Sequence, residues 1–195
     1  MNQSITLGQS VRQAVEFLRG IHRDVHKMVM TLDEQMDRKG CRPPKSSRVS
    51  DDLSNGLGID RWLIESVYRI YSPVAISDRF HKIDTIAAIE VEFLSPDAYD
   101  EPVCLLLAVR FRQPRPYADM WDNWEKSDRA LTLLTDTRGM QRLPPDVLHD
   151  GMFPHAAAGS AGVVRLCELA DVDLLKSKVV QPLLDAYEAL QNAAC

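Results

Sequence analysis

The stretch Val103–Val109, VCLLLAV, is the longest uninterrupted apolar run in the chain. It is far too short to span a bilayer, which takes about 20 residues of helix. A strand alternates its side chains between two faces, so apolar residues at every position demand cover on both. The run therefore predicts a central strand, and a wholly edge position would contradict the reading.

The preceding segment, TIAAIEVEFL, alternates Ile89, Val91 and Phe93 with Glu90 and Glu92, the pattern of a half-buried strand. The connection SPDAYDEP is rich in acids and proline, so a hairpin is the economical arrangement. A register that gathers the large side chains on one face sets Val91 opposite Leu105, Ile89 opposite Leu107 and Phe93 opposite Val103. In WLIESVYRIY, the β-branched and aromatic ending before Pro73 favours a strand for the second half.

The N-terminal segment has a different period. Thr6-Leu7-Gly8-Gln9 fits a capping box, and apolar residues then recur at helical spacing from Val11 to Met36. Gly40 suits the residue just past the helix end. A helix over about 7–38 would be roughly 45 Å long at 1.5 Å per residue, more than a compact domain of this size needs. Its stripe repeats every seventh position, at Val11, Leu18, Val25 and Leu32, with Val15, Phe17 and Val29 widening the face. The expectation is a helix that packs on its own domain for part of its length. The remainder would project and meet a second copy or another protein.

RKGCRPPKSSRVS follows, with five basic residues (Arg38, Lys39, Arg42, Lys45, Arg48) and no acid. Pro43-Pro44 stops a helix, and 39–60 reads as a basic, Pro- and Gly-containing loop. Beyond the hairpin, Pro116 could open a helix carrying Trp121, Trp124, Leu131 and Leu134, ended by Gly139 and Pro144-Pro145. LPPDVLHDGMFPHAAAGSAG looks like a long connection and Val163–Leu169 like a further strand. Asp171 or Asp173 would cap a C-terminal helix whose buried stripe is Leu175, Val179, Leu183, Ala186, Tyr187 and Leu190, kinked or split by Pro182. The order of elements predicts an α+β fold: one domain over 1–195, an antiparallel sheet of about four strands, and the long N-terminal and C-terminal helices packed against it.

Composition narrows the function classes. A net charge of -5 on 195 residues makes the whole molecule no obvious ligand for nucleic acid or an anionic membrane. MNQSITLGQS lacks the basic start and apolar core of a signal peptide, so a cytoplasmic location is expected by default. Cys41, Cys104, Cys167 and Cys195 are far apart and form no CxxC motif. Cys104 and Cys167 read as small buried hydrophobes, Cys41 and Cys195 as exposed thiols suited to a reducing compartment.

Several constellations invite chemistry. HRDVH sets His22 and His26 four apart on the long helix, a spacing that can hold a metal ion. Arg23 stands where a metalloprotease helix carries its general base, and no third ligand is indicated. The expectation is His22 at the rim of the core and His26 in solvent. His149, Asp150 and His155 sit in a Gly/Pro-rich segment and would be the residues of a small metal-dependent hydrolase. Asp119, Asp122, Glu125 and Asp128 read as a solvated helix face. Removing the five charges of the basic loop leaves 18 basic against 28 acidic residues, a balance of -10, so the loop is a separated patch. Arg42, Lys45 and Arg48 could contact phosphate there, extended by Arg110, Arg112 and Arg115. No glycine loop cradles phosphate and no cofactor is indicated.

The reading that results is a non-enzymatic interaction or accessory protein, a homodimer or one with a protein partner. Its contacts would come from Val11, Leu18, Val25 and Leu32 and from Trp121 and Trp124. Nucleic-acid binding through 38–48 and a hydrolase at His149 are the alternatives.

Overall fold

The computed structural model describes residues 7–43, 50–51, 66–72, 82–93, 101–116, 139–145, 148 and 155–193. Helix α1 spans Leu7–Arg38. Strands β1 (Ser50–Asp51), β2 (Ser66–Tyr71), β3 (Lys82–Glu92), β4 (Val103–Pro116), β5 (Gln141–Arg142) and β6 (Ala156–Arg165) form one sheet in the order β1-β2-β3-β4-β6-β5. Every pairing is antiparallel. A helical stretch closes the chain as α2 (Val172–Leu175), a π turn (Lys176–Val180) and α3 (Gln181–Asn192). The fold is α+β, with the two helical segments on one face of the sheet.

β4 lies at the centre between β3 and β6, and Val103–Val109 is buried throughout. One face presents Cys104, Leu106 and Ala108 to a core completed by Val25, Val29, Leu32 and Met36 of α1 and by Val179, Leu183 and Tyr187. The other presents Val103, Leu105, Leu107 and Val109 to a second core with Ile70, Ile86, Leu143 and Leu148.

The hairpin register differs from the expectation by one residue. Val91 faces Cys104, Ile89 faces Leu106 and Glu92 faces Val103. The expected register assumed that β3 has one wet face, but β3 is buried on both, and Glu90 is itself inside. With no solvent face to fix the alternation, Ile89 and Val91 go under the helices while Leu105 and Leu107 go to the opposite core. A one-residue slip exchanges every side chain between faces.

The last part of the expected connection before residue 163, from Ala156 on, is strand. β6 begins at Ala156 and ends at Arg165, and Leu166–Glu168 is a 3-10 turn. Its small residues hid it, because Ala and Gly carry little β signal. The structure gives the reason for two of them. A Cβ on Gly162 would stand 2.8 Å from the Gly139 carbonyl oxygen, because the backbone of 139–140 crosses there. A Cβ on Gly159 would meet Leu148 Cδ1 at 2.8 Å. Pro116, expected to open a helix, instead ends β4 opposite Lys82. The basic loop is also partly ordered into the sheet edge, as β1 and as an antiparallel bridge between Arg42 and Ser72.

Helix ends follow the sequence closely. α1 stops in a Schellman motif: Gly40 N–H donates to the Asp37 carbonyl and Cys41 N–H to the Met36 carbonyl, with Gly40 at φ 77. Asp171 caps α2, its Oδ1 accepting from the N–H groups of Asp173 and Leu174 at 2.9 Å. Pro182 has no N–H to give the turn before it, and the chain widens there into the π turn, Gln181 N–H reaching back to Lys176. Arg110 closes the far end, its guanidinium donating to the carbonyls of Leu190 and Ala193.

Candidate interaction site

Among the described residues, the body holds α1 from Ile21 onward. Val25 is 6% exposed, and Leu32 and Met36 are fully buried. A polar pin supplements this packing. Asp33, one residue past Leu32, accepts from Arg69 Nε at 2.9 Å and from Arg69 Nη2, and Tyr71 Oη donates to the same carboxylate at 2.8 Å. The Arg69 and Asp33 side chains are only 10% and 18% exposed, so the pair is shielded from salt. Burial works against the Arg69 charge, but the Asp33 carboxylate and Tyr71 outweigh it and hold its pKa above the usual value. Burial first, and then the Asp33 charge, pushes the Tyr71 hydroxyl well above the ordinary tyrosine range, so it stays a donor. Arg69 reaches Asp33 because residues 67, 69 and 71 of β2 share the helix face.

Before Ile21, α1 has no such cover among the described residues. Residues 8–17 are all exposed, with Val11 at 56%, Val15 at 45% and Phe17 at 69%, and Leu18 is half-buried. The seven-residue stripe is therefore divided. Val25 and Leu32, expected at a partner surface, are core residues of this chain. Val11 and Leu18 remain available, and Val15 and Phe17 join them. The sequence carried that signal, since both widen the face, but the stripe alone does not say where the body ends.

The other sequence candidates are scattered. His22 and His26 are both exposed, and His22 lies at the rim against Phe93, with ring centroids 5.9 Å apart and planes tilted by 59°. Among the described residues, no three His, Cys, Asp or Glu side chains come together as a metal-ligand set. Arg42 is tied to Asp37 as an ion pair, and Arg110 is engaged at the end of α3. His155 is exposed, and its carbonyl accepts from the Arg112 N–H. Lys45, Arg48, Trp121, Trp124, His149, Asp150 and the acids at 119–128 lie outside the described residues, as do Thr6 and Cys195.

Two cysteines exchange their expected places. Cys41 is buried, because the Schellman turn folds it back into the core beside Met36. Cys167 is exposed, because β6 ends before it and the 3-10 turn points it outward, 3.5 Å from Glu101 Oε2. Cys104 is buried as expected, and burial, with Glu90 nearby, pushes its pKa up to about 12.

No described helix is long and apolar enough to cross a membrane. The chain matches no known protein family, no curated protein and no solved structure.

Proposed function

We propose that this chain is a non-enzymatic interaction or accessory protein of the cytoplasm that docks on a protein partner through the projecting half of α1. One observation carries the reading: a single apolar stripe runs along α1, and among the described residues the body covers it only from Ile21 onward. Phe17, Val15 and Val11 stay in water although the same stripe is buried two turns later. Exposed apolar area forgoes roughly 25 cal/mol per Å², and contiguous patches of it mark interaction surfaces. A helical segment this short, about 12 residues, is also marginal without packing. The exposed free thiol of Cys167 suits a reducing compartment.

The test is the native size of the tagged full chain in its source cells, beside the double variant Val11→Glu/Phe17→Glu. The wild type should run in an assembly larger than one chain. The variant should run as a single chain with an unchanged circular dichroism spectrum. An assembly that survives both substitutions, or a wild type that runs alone, refutes the reading.

A further inference from the structure

We propose that the surface covering the projecting half of α1 is the same segment of a second copy of this chain, laid antiparallel. This rests on the docking reading above and names its partner.

With Val11, Leu18, Val25 and Leu32 at the first position of the seven-residue repeat, Ala14 and Ile21 fall at the fourth, which is the seam of a coiled coil. Gly8 and Val15 fall on one flank of that seam, Ser10 and Phe17 on the other. In an antiparallel pair, first positions meet fourth positions, so Val11 stands opposite Ala14 of the second copy and Ala14 opposite its Val11. The flanks then match by size: Val15 comes over Gly8, and Phe17 over Ser10. Gly8 has nothing within 4 Å of where a Cβ would stand, so the space is open to receive a neighbour. Large meets small on both sides and at both ends, as an isologous two-fold contact requires.

Charge supports the same occupant. Arg12, Glu16 and Arg19 all lie outside the seam and its flanks. Arg12 Nε is already paired with Glu16 Oε1 at 2.9 Å along its own helix. The seam between residues 8 and 18 is uncharged, so closing two copies on each other buries no ion. A strongly acidic or basic partner would find no counter-charge there.

The direction follows from where the body begins. In this register the second helix starts opposite Leu18, short of Ile21, where the chain's own cover takes over. Each free segment thus matches the other in length, and the two bodies lie at opposite ends. A parallel pair would drive both bodies against the same end of the seam. Two helical segments of roughly 18 Å make a contact at the low end of specific interfaces, below about 1,200 Å². The dimer is therefore weak and concentration-dependent.

The experiment is sedimentation of the purified full chain over a thousandfold concentration range, with directed disulfide formation. Val11→Cys and Ala14→Cys variants, each carrying Cys167→Ser and Cys195→Ser, are mixed in equal amounts and oxidised at the highest concentration. The expected results are a monomer–dimer equilibrium and a product in which 11-to-14 cross-links outnumber the 11-to-11 and 14-to-14 links together several-fold. A lone monomer at every concentration overturns the proposal, and so does a preference for 11-to-11 and 14-to-14 links. If the purified chain is a monomer but runs in an assembly in its source cells, the second copy is refuted and the docking reading survives. If it is a monomer in both settings, both fall.

Discussion

Leu32 and Val11 occupy equivalent places three repeats apart on one helix, and the structure assigns them opposite energetics. Leu32 is fully buried between Val29 and Met36, one residue before the Asp33 carboxylate that holds Arg69. Leu32→Ala removes the transfer free energy of the lost carbons and leaves a cavity that neighbours so tightly placed cannot fill, about 3 kcal/mol in all. In a chain of 195 residues, 1 kcal/mol lowers the melting temperature by roughly 2–4 °C, so the drop should be about 6–12 °C. Val11 is 56% exposed, and Val11→Ala trims groups already largely in water. Its effect should stay within about 0.5 kcal/mol, with the better helix propensity of alanine in its favour. Urea and thermal unfolding followed by circular dichroism, at concentrations low enough to keep the chain monomeric, give both numbers. Equal losses at the two sites would mean that the stripe is covered along its whole length. A loss under about 1 kcal/mol at Leu32 would mean that α1 is not part of the core.

Asp33→Asn removes the charge from the carboxylate that Arg69 and Tyr71 share and should cost about 3 kcal/mol by the same unfolding assays; a cost near zero would show the pin to be incidental. Gly162→Ala forces a Cβ to within 2.8 Å of the Gly139 carbonyl oxygen and should cost about 1–3 kcal/mol. Gly159→Ala should cost less, because the nearest atom is the end of the Leu148 side chain. In a Cys195→Ser background, a thiol reagent should label Cys167 in the native protein, and Cys41 and Cys104 only on unfolding; mass mapping of the labelled peptides decides it. Burial keeps Tyr71 and Tyr187 protonated past pH 10, where an unfolded tyrosine ionises. Above about pH 10 the native state then holds more protons than the unfolded one, so stability should fall as pH rises, with no contribution from these groups below that point. An alkaline absorbance titration should show both tyrosines ionising together with the loss of structure.

Local rules made much of the architecture legible. Gly40, the Asp171 cap and the seven-residue stripe give both helices nearly to their ends, and the unbroken run at Val103–Val109 gives the central strand. What stayed hidden depends on contacts distant in sequence. β6 carries glycine at 159 and 162 because the side chain of Leu148 and the backbone of Gly139 press on it, which no local pattern reports. The hairpin register turned on β3 being covered twice, and Glu90 and Glu92 pointed the other way. Asp33 looks like any surface acid of a long helix until Arg69, 36 residues away, is folded under it. For the candidate site, the sequence showed an overlong apolar stripe but not the boundary within it. That boundary falls just before Ile21, and it moves Val25 and Leu32 into the core while leaving Val11, Val15 and Phe17 exposed.

The most direct measurement is hydrogen exchange along α1, read at low and at high protein concentration. In dilute protein, amides of residues 25–36 should open only with global unfolding, while those of 11–17 exchange orders of magnitude faster. At high concentration the exchange of 11–17 should slow markedly, and that of 25–36 should not change. Equal protection of the two halves in dilute protein would contradict the division of α1 into a packed half and a docking half.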